Sequence, residues 1–202
     1  MFAGFTDRRL HAVVLLTATA LGGCAATPPA REAPAGPDPA LANRLGAAVD
    51  AATSGQTGRA ESMLNGLSDE RPDLVAPQLN LAILYAETGR REEAETVLER
   101  LLTDSPEDPA AWNQLGVLRR RDGRFGEADE AYSMALAADP TYAPAYRNRG
   151  VLLDLYLGRP GEALEHYRRY VELQGGDEEV ERWVAELELR LGTGPGAKVA
   201  ER

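Results

Sequence analysis

Residues 109–142 read PAAWNQLGVLRRRDGRFGEADEAYSMALAADPTY. Trp112, Leu115 and Gly116 lie at helical spacing before Gly123, and Ala128, Tyr132, Ala135 and Leu136 lie at helical spacing after it. Asp108-Pro109 is a helix start signal, and Asp139-Pro140 is a stop, because proline has no amide hydrogen for a continuing helix. The spacing predicts two helices folded back on each other at Gly123.

Outward from this stretch the same positions return every 34 residues. Pro72, Pro106 and Pro140 share the step, as do Ala60, Ala94 and Ala128, and Gly55, Gly89 and Gly123. Bulky positions keep it too: Leu64, Leu98 and Tyr132, then Leu67, Leu101 and Ala135. This period and order resemble the tetratricopeptide repeat, in which an aromatic residue, a Leu-Gly pair, a turn Gly, a small Ala, a bulky residue, a second Ala and a closing Pro recur. The copy at 109–142 matches closely. The copy at 75–108 has Leu81-Ala82, Tyr85, Gly89, Ala94, Leu98, Leu101 and Pro106, with Gln78 in the aromatic's place.

At 143–176 the matching residues are Tyr146, Gly150, Gly158, Ala163, Tyr167 and Tyr170. Arg149 stands where Leu is usual, and the step of 35 from Gly123 to Gly158 predicts one extra residue in the first helix. The earliest copy, 41–74, keeps Ala60, Leu64 and Leu67 in its second helix but only Leu45, Ala47, Ala48 and Ala51 in its first. The resemblance implies an all-α, right-handed superhelix of three to four helical hairpins.

The residue types have mechanical reasons. Gly116 and Ala128 are small where two helices approach closely, while Trp112, Leu115, Tyr132 and Leu136 fill the space between. A lone hairpin exposes its apolar face, so neighbours must stack to bury it. After Gly175-Gly176, residues 177–191 place Val180, Trp183, Val184, Leu187 and Leu191 on one helical face, which predicts a helix capping the last repeat. The glycine-rich end, 192–202, holds the only Lys and is expected to be disordered.

The N-terminal end reads differently. Arg8 and Arg9 precede an apolar run from Leu10 to Leu21, too short to span a bilayer, and small residues then lead to Cys24. Leu21-Gly22-Gly23-Cys24 resembles the bacterial lipobox, which implies cleavage of 1–23 and acyl chains on Cys24. Several chains hold a protein stably on a membrane where one does not. Arg8-Arg9 hints at the twin-arginine route, but Leu10-His11-Ala12 departs from it and points to general secretion. Ala25, where Asp would favour inner-membrane retention, implies by the same resemblance the periplasmic side of the outer membrane. Residues 24–39, with Pro28, Pro29, Pro34, Pro37 and Pro39, form a tether reaching about 40 Å if polyproline-like.

Charge and composition narrow the function. The chain carries 22 basic and 32 acidic groups, and removal of 1–23 leaves 20 and 31, a net charge of −11. Such a molecule repels nucleic acid and does not adhere to anionic lipid by charge. One cysteine makes neither an internal disulfide nor a cysteine-based zinc site, and two histidines are too few for a histidine-rich cluster. No cofactor or metal is expected. His166, between Glu165 and Tyr167, is the one histidine beyond the leader, with no Cys nucleophile or Ser partner evident. Gly158-Arg-Pro-Gly161 and Gly123-Arg-Phe-Gly126 are interhelical turns without the Lys and Ser or Thr of a phosphate loop. No catalytic constellation emerges, and an enzyme using His166 is the remote alternative.

The resemblance places ligands in a concave groove lined by the first helix of each repeat. Matching positions are Asn80, Ile83 and Glu87, then Asn113, Val117, Arg120 and Arg121, then Arg147, Asn148, Val151 and Asp154. Asn pairs both sides of a peptide unit, and Arg forks suit carboxylates. Asn80, Asn113, Arg120, Arg121, Arg147 and Asn148 are the candidate groove residues, with the three arginines expected to form a positive patch. The Lys positions of the chaperone-binding carboxylate clamp are missing. The expected role is a membrane-anchored scaffold that binds envelope proteins or peptides. Similar lipoproteins assist assembly of pilus or secretion machinery, and others are adaptors for peptidoglycan hydrolases. The sequence leaves both open.

Overall fold

The structure is a computed structural model describing residues 38–194. The proposed signal peptide, Cys24 and all but the last two residues of the tether lie outside the described residues, as does the C-terminal stretch from 195 onward. Nine α-helices and no strand are present among the described residues. They are α1 (Pro39–Thr53), α2 (Thr57–Glu70), α3 (Val75–Glu87), α4 (Arg91–Asp104), α5 (Pro109–Arg121), α6 (Phe125–Ala138), α7 (Ala143–Leu155), α8 (Pro160–Gln174) and α9 (Glu178–Leu191). Successive pairs form four antiparallel hairpins, so the degenerate first copy is a full hairpin. All these helices, and every packing contact between them, lie in one compact unit.

Helix starts follow local chemistry. Asp38 accepts the Ala40 N–H at 2.9 Å, and Asp108 accepts that of Ala111 at 2.7 Å, each with proline next in the chain. Pro39, expected in the tether, therefore opens α1. At the other end Gly192 takes φ +65°, and the Thr193 N–H reaches the Glu188 carbonyl at 2.9 Å. Residues 192–194 thus close α9 and are ordered as its cap, where a disordered tail was expected.

Turns between paired helices share one geometry. The amide hydrogens of Gln56, Arg90 and Arg124 reach the carbonyls of Ala51, Tyr85 and Arg119 at 2.8, 2.8 and 2.9 Å. In the fourth repeat Arg159 reaches Leu153, one residue further back, at 2.8 Å. The extra residue of that repeat lies in this turn, not in the first helix, since α5 and α7 both have 13 residues. A helix of fixed length keeps its register against its neighbours, and the turn can take up a residue at the surface. Leu157 uses the slack to pack against the core.

A second recurring contact joins each repeat to the one before. The Trp112 indole N–H donates to the Pro106 carbonyl at 2.7 Å, and the Tyr146 hydroxyl to that of Pro140 at 3.1 Å. Gln78 does the same to Pro72 at 3.2 Å, so the departure from an aromatic keeps the bond.

The tightest fit lies inside the hairpins. A Cβ at Gly116 would stand 2.6 Å from the Tyr132 ring, and one at Gly150 would stand 2.5 Å from the Tyr167 ring. In the second repeat the pair is Ala82 with Leu98, where a smaller partner leaves room for the methyl group. All six side chains or glycines are buried. Gly116→Ala is expected to destabilise the protein by about 1–3 kcal/mol through overpacking. Adding Tyr132→Leu, which reproduces the Ala82/Leu98 pair, should recover part of that loss in denaturant unfolding of the two variants.

Candidate functional site

The first helices of successive repeats touch one another directly, α1 with α3, α3 with α5 and α5 with α7. They form the inner face of the stack, and the even-numbered helices form the outer face. Helix α9 continues the inner row. Its Arg190 pairs with Asp154 of α7, Glu179 lies 3.6 Å from Arg147, and Trp183 packs on Tyr167 with ring centres 5.3 Å apart. The expected cap is thus the first helix of a repeat without its second.

The structure separates the candidate groove residues. Asn113 and Asn148 are buried, and Asn148 donates its amide hydrogen to the Asn113 oxygen at 2.9 Å. The pair joins α5 to α7 within the wall and does not face a ligand. Asn80 turns back on its own helix, donating to the Ala76 carbonyl at 2.8 Å. Arg147 faces Glu179 and stands 5.1 Å above the Trp183 ring. The expected patch of Arg120, Arg121 and Arg147 is therefore not assembled, because α9 lies over Arg147 and brings a carboxylate to it.

Arg120 and Arg121 remain. Arg121 is exposed at the end of α5. The Arg120 guanidinium lies 5.8 Å from the Tyr156 ring, and its Nε is buried without a hydrogen-bond partner. The buried Tyr132 hydroxyl also lacks one. Burial pushes that phenol up to about 12, against the opposing pull of Arg120 beside it. Tyr132 enters through the gap left by Gly116, and Arg120 is one helical turn further along α5. Sequence spacing gave no hint of this meeting, since it depends on the ring crossing the helix pair.

His166 is half-buried against Tyr146, with ring centres 5.6 Å apart. Burial first, and the Arg149 charge second, push its imidazole down to about 4. It is neutral at neutral pH and a weak base. Among the described residues no group of His, Cys, Asp and Glu could hold a metal ion, and no helix is long and apolar enough to cross a membrane.

One periodic device escaped the sequence reading. Arg90 makes a fork to Glu93 at 2.7 and 2.5 Å and reaches Glu61 of the preceding repeat at 2.8 Å. Arg124 repeats this with Glu127 at 2.9 and 2.5 Å and Glu95 at 2.6 Å. Arg159 repeats it with Glu162 at 2.6 and 2.5 Å and Asp129 at 3.4 Å. Each bridging acid has a second partner: the Tyr85 hydroxyl on Glu61, Arg119 on Glu95, Arg149 on Asp129. Arg149 thus replaces the buried Leu by an ion pair to the repeat before. The signal was present as Gly-Arg at 89–90, 123–124 and 158–159, each with Glu three residues after the Arg. The hydrogen bonds of Arg90 hold Glu61 and Glu93 below the ordinary carboxylate range, and those of Arg124 do so for Glu127. For Glu95, burial acts upward, and the bonds from Arg124 and Arg119 outweigh it.

Residues 51–118 match the family profile of the tetratricopeptide repeat. No protein of curated function matches the chain. Among solved structures, MamA is 20% identical, covers 78% of this chain and 86% of its own, and superposes with a TM-score of 0.60. Pseudomonas aeruginosa pilF is 17% identical, with coverages of 76% and 69% and a TM-score of 0.66. The first repeat domain of Spaghetti, bound to the HSP90 peptide SRMEEVD, is 22% identical, with coverages of 56% and 90% and a TM-score of 0.53. At such identities the likeness is one of fold.

Two measurements check this geometry. Arg124→Gln should lower the thermal midpoint by a few degrees and broaden the transition, since it uncouples the second and third repeats. The loss should shrink below pH 4.5, the ordinary value of the Glu partners, because the charged carboxylates stabilise the fold above that value and lose their effect as acid protonates them. His166 acts in a higher window. The unfolded histidine takes up a proton near pH 6.5 and the folded one only near pH 4, so acidification between these values favours unfolding. His166→Val, with the residue that stands at the equivalent Val97, should flatten the fall in thermal midpoint between pH 7 and pH 5.

Proposed function

We propose that this chain, a tetratricopeptide-repeat protein and so a scaffold for protein–protein interaction, works as a lipid-anchored adaptor on the periplasmic face of a bacterial outer membrane. It grips a segment of an envelope protein on its inner face. The observation that carries the reading is the pairing of Arg120 and Arg121 at the end of α5. Arg121 is exposed, and the Arg120 guanidinium lies 5.8 Å from the exposed Tyr156 ring. Two guanidinium groups beside an aromatic ring suit a carboxylate or carbonyl of a bound peptide. On a chain with ten more acidic than basic groups, this point favours acidic and carbonyl-rich segments.

Leu21-Gly22-Gly23-Cys24 and the proline-rich stretch behind it support the anchor, and Ala25 supports the outer membrane. Such an anchor keeps the inner face within reach of membrane-bound assemblies. Assistance in building pilus or secretion machinery is the role we assign. Binding is the whole of the activity, with no substrate turned over.

Cys24→Ala should shift the protein from the membrane fraction to the soluble fraction on cell fractionation. Crosslinked capture from intact cells should recover an envelope partner with the unaltered chain and lose it with Arg120→Glu/Arg121→Glu. Retention of the partner by that double variant would end the reading of the inner face. A captured peptidoglycan hydrolase would replace the pilus or secretion assignment.

A further inference from the structure

The outer face has a feature that the inner-face reading does not use. Between α4 and α6, with α5 as its floor, runs an open groove of about 700 Å³. Leu102, Leu115 and Met134 supply its apolar lining, and Trp112 lies half-buried in the floor. Met134 is 45% exposed, one of the few large apolar side chains left to solvent among the described residues.

Comparison with the neighbouring repeats shows why this groove is open. Tyr146 holds the place of Trp112 one repeat on, and His166 packs against its ring. The equivalent of His166 beside Trp112 is Ala131, a methyl group, which leaves the indole uncovered. Met134 stands where the adjacent repeats have Arg100 and Arg169. The third repeat therefore lacks both the side chain that would cover the aromatic and the guanidinium that would charge the rim.

The rim is acidic. Glu99, with a side chain 60% exposed, has only a 3.8 Å contact to Arg119, and Glu130 is exposed. Arg119 is turned to Glu95 at 3.2 Å and is itself 16% exposed. Carboxylates around an aromatic ring and an apolar floor attract a cation carried on an apolar stem, because an indole face and a carboxylate both favour positive charge.

We propose that this outer groove is a second docking site, and that it takes a partner-protein segment presenting Lys or Arg beside aliphatic side chains. The two faces then select opposite chemistries, carbonyl-rich or acidic segments inside and basic apolar segments outside. A single chain can hold two different partners at once.

The probe is a short blocked peptide of Leu and Lys, titrated into residues 37–202. The two indole N–H resonances, of Trp112 and Trp183, are followed by NMR. The Trp112 resonance should move and that of Trp183 should stay. Glu99→Lys/Glu130→Lys should weaken binding at least about tenfold, and so should Met134→Arg, which places a guanidinium where the adjacent repeats have one. Both variants alter exposed side chains and should keep the helical spectrum. Arg120→Glu/Arg121→Glu should leave this binding intact, so failure here is distinct from failure of the inner-face reading. The proposal is overturned if a Leu and Glu peptide binds equally well, or if Trp183 moves in place of Trp112. It is overturned equally if Glu165→Lys/Glu186→Lys, remote on exposed helix surface, weakens binding as much as the groove variants do.

Discussion

The rest of the structure depends on a contact that leaves no space: an aromatic ring lying on a glycine. With Tyr132 against Gly116, and Tyr167 against Gly150, a second helix closes on its first at a distance no Cβ would allow. That closeness fixes the angle of each hairpin. Because the hairpins are alike, one angle repeated along the chain determines the surface offered to a partner. The second repeat reaches a similar fit with Ala82 and Leu98, so the quantity conserved along the chain is the combined volume of the pair, not either residue alone.

Packing sets the shape of a hairpin, and charge sets how hairpins meet. Each bridging arginine, 35–41% exposed, bonds within its own repeat and across to the previous one, where the acid it meets is 20–27% exposed. Exposed pairs contribute little singly, but forked geometry and a shared acid make them act together. The carbonyl bonds from Gln78, Trp112 and Tyr146 add a neutral tie at each junction. The stack is therefore joined at its seams by polar bonds with definite directions, which fix a rotation between repeats more closely than apolar contact alone.

The period of 34 made the fold legible, since small, bulky and turn residues recur in step and α2 to α8 follow from them, while α9 follows from its own apolar face. The 35-residue step was visible but not its place, because the sequence does not say whether a helix or a turn absorbs an insertion; here the surface turn at Leu157 does. The groove was read less well. Asn113 and Asn148 lie at inner-face positions by spacing, yet they bond to each other across two helices, a contact set by how neighbouring repeats are turned. Arg147 was lost to the groove because α9 extends the inner row. The Arg-Glu clamp was written in the sequence as a repeated Gly-Arg pair with Glu three residues beyond. It carries charge where hydrophobic periodicity does not look.

The two ends of that clamp differ from its middle. Gln56 stands where the bridging arginine would be in the first hairpin, and Leu164 stands where the bridging acid would be in the last, buried against α9. Neither end repeats the charged joint of the middle: one lacks the cation to reach backward, and the other offers a hydrocarbon in place of an anion. An added hairpin at either end would therefore lack the Arg–acid bridge that joins the inner repeats.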